Sequence, residues 1–212
     1  MNPMENEEEF LEKLVRLSKQ NIIAKESLTS NFVNKKKKEL DIKWVYDSTK
    51  QEIYDMLKER SPQDRQSTFA YLENKYQYML GLCERNKCSS SNMFDMFAFL
   101  SLKMFSIKNI QPLYYNHMVD QFAEKASNAL WCSSEEDYRL ASKQIKDEID
   151  CLDAKDKDNF DKLLSIRADN SKEVYYPLSE EEYSLFEHKQ RAYKLLKCLS
   201  EYSNEERKAQ SM

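Results

Sequence analysis

Apolar residues recur along most of this chain at intervals of three and four, which is the spacing of one face of an α-helix. The pattern is clearest between Ser133 and Asp153. The apolar face of this stretch consists of Tyr138, Ala141, Ile145, Ile149 and Leu152, and its polar face of Lys143, Lys146, Asp147 and Asp150. Ser133 and Glu136 have the spacing of a capping box. The stretch is therefore predicted to be an amphipathic helix that begins at Ser133.

The same periodicity predicts seven further helices. They span residues 5–38, 41–60, 62–84, 92–108, 112–131, 158–169 and 179–203. Ser61 and Pro62 are expected to open the third helix, Pro112 the fifth, and a capping box of Ser179 and Glu182 the last. The helix over 92–108 is apolar nearly all round, which predicts the most buried position in the fold. The polar tail from residue 204 is expected to fray.

Composition narrows the fold class. The chain has one Gly and four Pro in 212 residues, so it lacks the turn residues on which hairpins and sheets depend. A single Gly also excludes the glycine-rich loops of nucleotide-binding sites. The sequence therefore predicts an all-α protein, an antiparallel stack of eight helices joined by short connectors.

Charge and cysteine content favour a soluble, cytoplasmic protein. The net charge is −4, no apolar run approaches the ~20 residues of a membrane span, and the acidic N-terminus does not resemble a signal peptide. The five cysteines are odd in number, so reduced thiols are expected rather than a disulfide framework.

Few residue groups in the sequence indicate catalysis or metal binding. His117, Asp120 and Glu124 have helical spacing and could share a metal, while Cys83 and Cys88 form a weak zinc pattern. Packing cysteines and a surface histidine are the favoured interpretation, so neither metal nor cofactor is expected. No local pattern supports a nucleophile, and the chain is not expected to be an enzyme.

A run of four lysines, Lys35 to Lys38, could contact nucleic acid. Cations at the end of a helix are also favourable to the helix dipole, and this second interpretation is preferred. An acidic chain is a poor polyanion binder, so a nucleic-acid partner is not expected.

Several stretches, in order along the chain, resemble helices of the 14-3-3 family. They cover roughly residues 10 to 170 and are scattered helix-face matches rather than one tight motif. Pro112 corresponds to the proline that opens the family's seventh helix. The other matching pieces are Asn21-Ile22-Ile23-Ala24, Tyr71-Leu72 with Lys75, Tyr78 and Leu82, Leu140-Ala141, Glu148-Ile149, Leu152-Asp153 and Arg167-Ala168-Asp169-Asn170.

This resemblance implies an arrangement and a function. Family members are helical dimers whose concave groove holds a phosphoserine or phosphothreonine peptide. Residues 1–170 would then be a 14-3-3-like domain without the usual first two helices. Residues 171–212 would add a loop and an extra C-terminal helix packed on the same domain, which either fills the space of the missing helices or lies across the groove as a built-in ligand.

The resemblance also implies peptide-binding positions, several of which depart from the family. Where the family has basic residues in its third helix, this chain has Gln20 and Ser27. The family's Arg-Tyr pair falls on Leu80-Gly81 or, in another register, on Gln77-Tyr78. The residues implied to line the groove are Gln20, Ser27, Lys75, Gln77, Tyr78, Asp120 and Asn170.

No arginine occupies these phosphate-binding positions. Lys19, Lys25 and Lys75 lie within a turn of them and could restore positive charge, although a lysine lacks the bidentate fork of arginine. The expected function is a non-catalytic adaptor with altered or weakened phosphate recognition. Its partners would be phosphorylated proteins or peptides, and a homo- or heterodimer is possible.

Two alternatives remain open at this point. One is a helical scaffold that binds partner proteins independently of phosphorylation. The other is an RNA-binding helical protein that uses Lys35 to Lys38 and Lys43.

Overall fold

The computed structural model describes residues 7–30, 36–85, 91–169 and 180–210. Within these ranges every regular element is an α-helix, which confirms the predicted all-α class. The described helices are α1 (Glu7–Thr29), α2 (Lys36–Lys58), α3 (Pro62–Arg85), α4 (Ser91–Leu130), α5 (Glu135–Asp150), α6 (Ala154–Asp169) and α7 (Glu180–Gln210). None of the helices in these ranges has both the length and the apolar character needed to cross a membrane.

The chain divides into two compact units, Met1–Tyr114 and Tyr115–Met212, and α4 contributes its first part to one and its second part to the other. In the structure, α5, α6 and α7 belong to the same unit.

In the first unit, α1 and α2 form an antiparallel pair. Glu7 at the start of α1 binds Arg60 just beyond the end of α2, and Asn21 donates to the Tyr46 carbonyl at 2.8 Å. Apolar side chains from all four helical segments meet in the core of this unit. The buried set includes Phe10, Leu14, Leu17, Ile53, Leu57, Phe69, Leu72, Met104, Ile110 and Tyr114.

In the second unit, α7 packs along α5 and α6. Phe122 of α4 meets Phe160 of α6 edge to face, with 5.1 Å between the ring centroids. The core side chains include Val119, Ile145, Ile149, Phe160, Leu164, Ala192, Tyr193 and Leu196. This face of α7 is thus part of the core of its own unit.

The prediction that Pro112 begins a new helix was wrong. Pro112 lies inside α4, which runs unbroken over 40 residues. A proline in a helix interior removes one hydrogen bond, here to the carbonyl of Lys108. The buried positions continue on both sides of it, at Ile107, Ile110 and Tyr114, so packing of the apolar face outweighs the local cost.

The prediction that residues 92–108 form the most buried helix was also wrong. Four large side chains of α4, namely Met96, Phe97, Phe99 and Phe105, are at least 50% exposed. Among the side chains that the structure describes in this segment, those of residues 96–108, the buried ones are Met104, Ser106 and Ile107. A helix that is apolar on every side can still be packed on one side alone.

Helix ends also differ from the predictions. The first helix ends at Thr29, and residues 36–38 belong to α2. Ser134, not Ser133, is the N-cap of α5: its Oγ accepts from the Asp137 N–H at 3.0 Å. The helix predicted over 158–169 begins at Ala154, where Asp153 Oδ1 accepts from the backbone N–H groups of residues 155 and 156.

The last helix continues to Gln210 although fraying was predicted from residue 204. The predicted capping box of Ser179 and Glu182 is not tested, because Ser179 lies outside the described residues and the side chain of Glu182 is not described. The predicted start of the third helix is confirmed: Ser61 Oγ accepts from the Asp64 N–H at 3.2 Å, directly before Pro62.

Candidate functional site

A long groove of about 1540 Å³ lies in the first unit between α1, α3 and α4. Leu72 and Ile107, both nearly buried, give it an apolar floor. Its volume exceeds that of a typical small-molecule pocket, about 300–1,000 Å³. The groove therefore has room for a polymer segment.

Four cationic side chains from three helices line one half of this groove. Arg16 and Lys19 come from α1, Lys75 from α3 and Lys103 from α4. Within the described ranges none of the four is in an ion pair with a carboxylate. We call these four residues the basic cluster.

The helices that carry Lys19 and Lys75 both contact α4. Ser18, next to Lys19, donates to the Ser106 carbonyl at 2.8 Å. Tyr76, next to Lys75, lies below the Lys108 ammonium at 5.6 Å from its ring centroid. Neighbours of Lys19 and Lys75 thus interact with Ser106 and Lys108 of α4.

Two of the cations rest on aromatic rings. Lys19 Nζ is 5.4 Å from the centroid of the Phe99 ring, and Lys75 Nζ is 5.8 Å from that of Tyr71. A cation at this distance from a ring is attracted by the negative face of its π-system. Since both rings are about half exposed, they still offer apolar surface to a ligand.

The other half of the groove is lined by carboxylates. Arg60 stands at this end, bound to both carboxylate oxygens of Glu7 and stacked on the Phe10 ring at 3.7 Å. Lys13 Nζ forms an ion pair with Glu52 Oε1 at 3.2 Å, and Glu52 lies outside the lining of the groove. The acidic lining consists of Glu7, Glu8, Glu9, Glu12, Glu59 and Asp64. The distance from Glu8 to Lys19 along α1 is about 16 Å. The charge of the groove lining therefore changes from negative to positive within about three turns of this helix.

The structure brings together two of the positions that the sequence analysis selected. Lys19 and Lys75 both line the groove. Gln20 and Lys25 are exposed on α1 outside its lining. Ser27 donates to the Ile23 carbonyl of its own helix at 2.8 Å.

The remaining selected positions lie elsewhere. Gln77 donates to Glu73 on the same helix at 2.7 Å, and Tyr78 is exposed outside the lining. Asp120 belongs to the second unit, where it accepts from Arg167. Asn170 lies outside the described residues.

Arg16, Lys103, Tyr71 and Phe99 are groove residues that the sequence analysis did not select. In the sequence, Arg16 and Lys19 are three residues apart and Phe99 and Lys103 four apart, so each pair lies on one face of its helix, but nothing local relates the two pairs. Tyr71 belongs to a piece that resembles a 14-3-3 helix, but the resemblance implies no place for it in the groove.

Arg167 is the centre of a polar cluster in the second unit. Its guanidinium donates to Asp120, to the Tyr193 hydroxyl at 3.1 Å and to Asn116 Oδ1 at 2.7 Å. Burial alone lowers the pKa of Arg167, but the interactions with Asp120 and Tyr193 outweigh burial and raise the pKa above its ordinary value. The side chain stays charged, and its bonds join α4, α6 and α7.

No group of three or more His, Cys, Asp or Glu residues suited to a metal occurs among the described residues. His117 Nε2 faces Gln121 Nε2 at 3.2 Å. Cys83, Cys132, Cys151 and Cys198 are free thiols, and Cys88 lies outside the described ranges.

Comparison of the chain with protein-family models, with curated proteins and with solved structures gave no match. The likeness to the 14-3-3 family therefore rests on the sequence pieces quoted above.

Proposed function

We propose that this protein is a non-catalytic adaptor that binds a phosphorylated segment of a partner protein in the groove of its first unit. One observation carries the proposal: the basic cluster collects four cations from three helices, and none has a carboxylate partner among the described residues. An anionic ligand would give these cations the partner that they lack.

A phosphorylated side chain suits this cluster. A phosphate monoester carries about −1.5 to −2 charge at pH 7 and three acceptor oxygens. Arg16 can bind two of these oxygens at once, while Lys19, Lys75 and Lys103 act as point charges. The sequence analysis expected no arginine at the phosphate. With Arg16 in the cluster, we expect the phosphate to be bound more strongly than by lysines alone.

The acidic half of the groove favours a peptide over nucleic acid. A polyanion laid along the groove would bring its next phosphates against Glu12 and Glu59, and that contact is repulsive. A peptide can carry a phosphate at one point and Lys or Arg a few residues away. The expected ligand is therefore a segment with one phosphorylated residue followed or preceded by basic residues.

The resemblance to the 14-3-3 family supports the same function, because members of that family bind phosphorylated peptides in a groove. The family's ligands are phosphoserine and phosphothreonine peptides. Two of the helices that line the groove, α1 and α3, also contain pieces that resemble 14-3-3 helices.

A scaffold that ignores phosphorylation is the second candidate. Met96, Phe97 and Phe99 expose apolar surface on α4, and an exposed apolar patch can bind a partner without any phosphate.

The two candidates differ in a direct binding experiment. A pool of fluorescent peptides with random flanks is titrated with the protein in phosphorylated and unphosphorylated form, and the fluorescence anisotropy is recorded. We expect the phosphorylated pool to bind at least about tenfold more tightly, since hydrogen bonds to charged groups contribute about 1.5–3 kcal/mol. Equal binding of both pools would favour the scaffold, and no binding would overturn the proposal.

Variants locate the binding site. Lys103→Ala should weaken binding of the phosphorylated pool about tenfold, because it removes one cation from the cluster. Lys25→Ala is the matched control, since Lys25 is an exposed lysine outside the lining. If Lys25→Ala weakens binding as much as Lys103→Ala does, the phosphate is not bound in this groove. A labelled RNA serves as competitor, and displacement of the peptide by RNA would favour the nucleic-acid alternative.

A further inference from the structure

The basic half of the groove offers more than charge. Phe99 of α4 and Tyr71 of α3 both line the groove, are 56% and 46% exposed, and each has a lysine ammonium over its ring. Below them the floor is formed by Leu72 and Ile107. Cationic groups and apolar ring surface are thus combined in one place.

A ligand that matches this surface needs an anion attached to an apolar, planar body. Aromatic rings pair with other rings in offset or edge-to-face geometry, and a lysine can hold a phosphate while its ammonium lies near a ring. A phosphorylated aliphatic side chain supplies only the anion. It leaves the exposed surface of Phe99 and Tyr71 in contact with water.

We propose that the phosphorylated residue this groove prefers is phosphotyrosine. This inference rests on the proposed function, namely that the groove binds a phosphorylated peptide. The tyrosine ring lies between Phe99 and Tyr71 over the apolar floor, and its phosphate is held by the basic cluster. The preference differs from the serine and threonine ligands that the 14-3-3 resemblance implies.

The test uses four peptide pools with identical random flanks and a central tyrosine, phosphotyrosine, phosphoserine or phosphothreonine. Binding to the full chain is measured by fluorescence anisotropy at one ionic strength. We expect the phosphotyrosine pool to bind about tenfold more tightly than the phosphoserine pool. Phenyl phosphate should likewise displace a bound peptide at a lower concentration than inorganic phosphate does.

Two variants separate ring recognition from phosphate recognition. Phe99→Ala should weaken phosphotyrosine binding about tenfold and change phosphoserine binding by less than about twofold. Phe105→Ala is the control, because Phe105 lies on the same helix, is 50% exposed and does not line the groove. Tyr71→Ala and Tyr78→Ala form a second pair of the same kind on α3.

The outcomes distinguish this inference from the proposed function. If phosphoserine peptides bind as well as phosphotyrosine peptides, or if Phe99→Ala weakens both equally, the tyrosine preference is wrong and the phosphopeptide function stands. If no phosphorylated pool binds better than the unphosphorylated one, the proposed function fails and the inference fails with it.

Discussion

Arg167 shows how much one side chain holds together in the second unit. Its guanidinium joins α4 through Asp120 and Asn116, and α7 through Tyr193, while its own backbone belongs to α6. Tyr193 is also buried in the core. A single group thus ties three helices at a partly buried position, where a polar side chain without partners would be costly.

Replacing Arg167 should therefore be strongly destabilising. We expect Arg167→Leu to lower the free energy of unfolding by about 2–3 kcal/mol, since it removes hydrogen bonds to a charged group near a carboxylate. Urea unfolding followed by circular dichroism measures the change.

Arg139→Leu is the comparison, because Arg139 pairs with Glu135 on the same helix with both side chains about three-quarters exposed. Such a pair contributes at most about 0.5 kcal/mol. Equal effects of the two variants would mean that the Arg167 cluster does not stabilise the unit.

Single residues were the level at which the sequence was least informative. Ser133 and Ser134 are adjacent, and each is followed three residues later by an acidic residue. Either could be the N-cap of α5 by its local sequence, so the first residue of the helix depends on how α5 packs. The sequence analysis selected Lys19 and Lys75 as basic residues near the groove, but Lys103 comes from a different helix. No local pattern indicates that these three side chains line one groove.

Among the helices, α4 differs most from what its local sequence predicts, because it continues through a proline. A proline in a helix interior costs about 3 kcal/mol relative to alanine, and Pro112 is exposed. The helix persists because buried residues on both sides of the proline hold it in place.

Pro112→Ala should therefore stabilise the protein. Alanine restores an N–H donor for the Lys108 carbonyl, so we expect a gain of about 1–3 kcal/mol. For a chain of this size the midpoint of thermal unfolding should rise by about 2–4 °C per kcal/mol. Gln111→Ala, one position earlier and also exposed, should leave the midpoint nearly unchanged. A lower midpoint for Pro112→Ala would show that α4 needs the proline's geometry.

The role of α7 can be tested at one position. Leu196 is fully buried in the second unit, whereas Leu185 on the same helix is 72% exposed. We expect Leu196→Ala to cost about 2–5 kcal/mol of unfolding free energy and Leu185→Ala almost nothing.

Phosphopeptide affinity provides the second measurement on these variants. If α7 instead acted as a built-in ligand of the groove, Leu196→Ala would leave stability unchanged and strengthen phosphopeptide binding. The choice between these two roles of the C-terminal helix stays a prediction.

For the whole molecule, composition predicted the all-α class, and periodicity predicted most of the described helices. The grouping of the helices could not be predicted in this way. Lys157 bonds Ser200, and Arg167 bonds Asn116, across 43 and 51 positions of the chain. Such pairs leave no trace in periodicity, because each partner looks like an ordinary polar residue of its own helix.

The separation of charge along the groove has a consequence for kinetics. At low ionic strength, near 0.01 M, the Debye length is about 30 Å, longer than the roughly 16 Å between Glu8 and Lys19 along α1. Consider a peptide that carries a phosphate at one end and basic residues at the other. At this ionic strength the electric field of the protein orients it before contact, with the phosphate toward the basic cluster and the basic residues toward the carboxylates. At about 0.15 M the Debye length falls to about 8 Å, and the two halves of the groove act separately.

Stopped-flow measurements should therefore show an association rate constant that falls steeply with added salt, while the dissociation rate constant changes little. A peptide with its phosphate and its basic residues interchanged should associate more slowly at low salt. The difference in association rate between the two peptides should disappear at high salt. Such a result would mean that, at low salt, the groove selects the direction of its ligand during the approach as well as after binding.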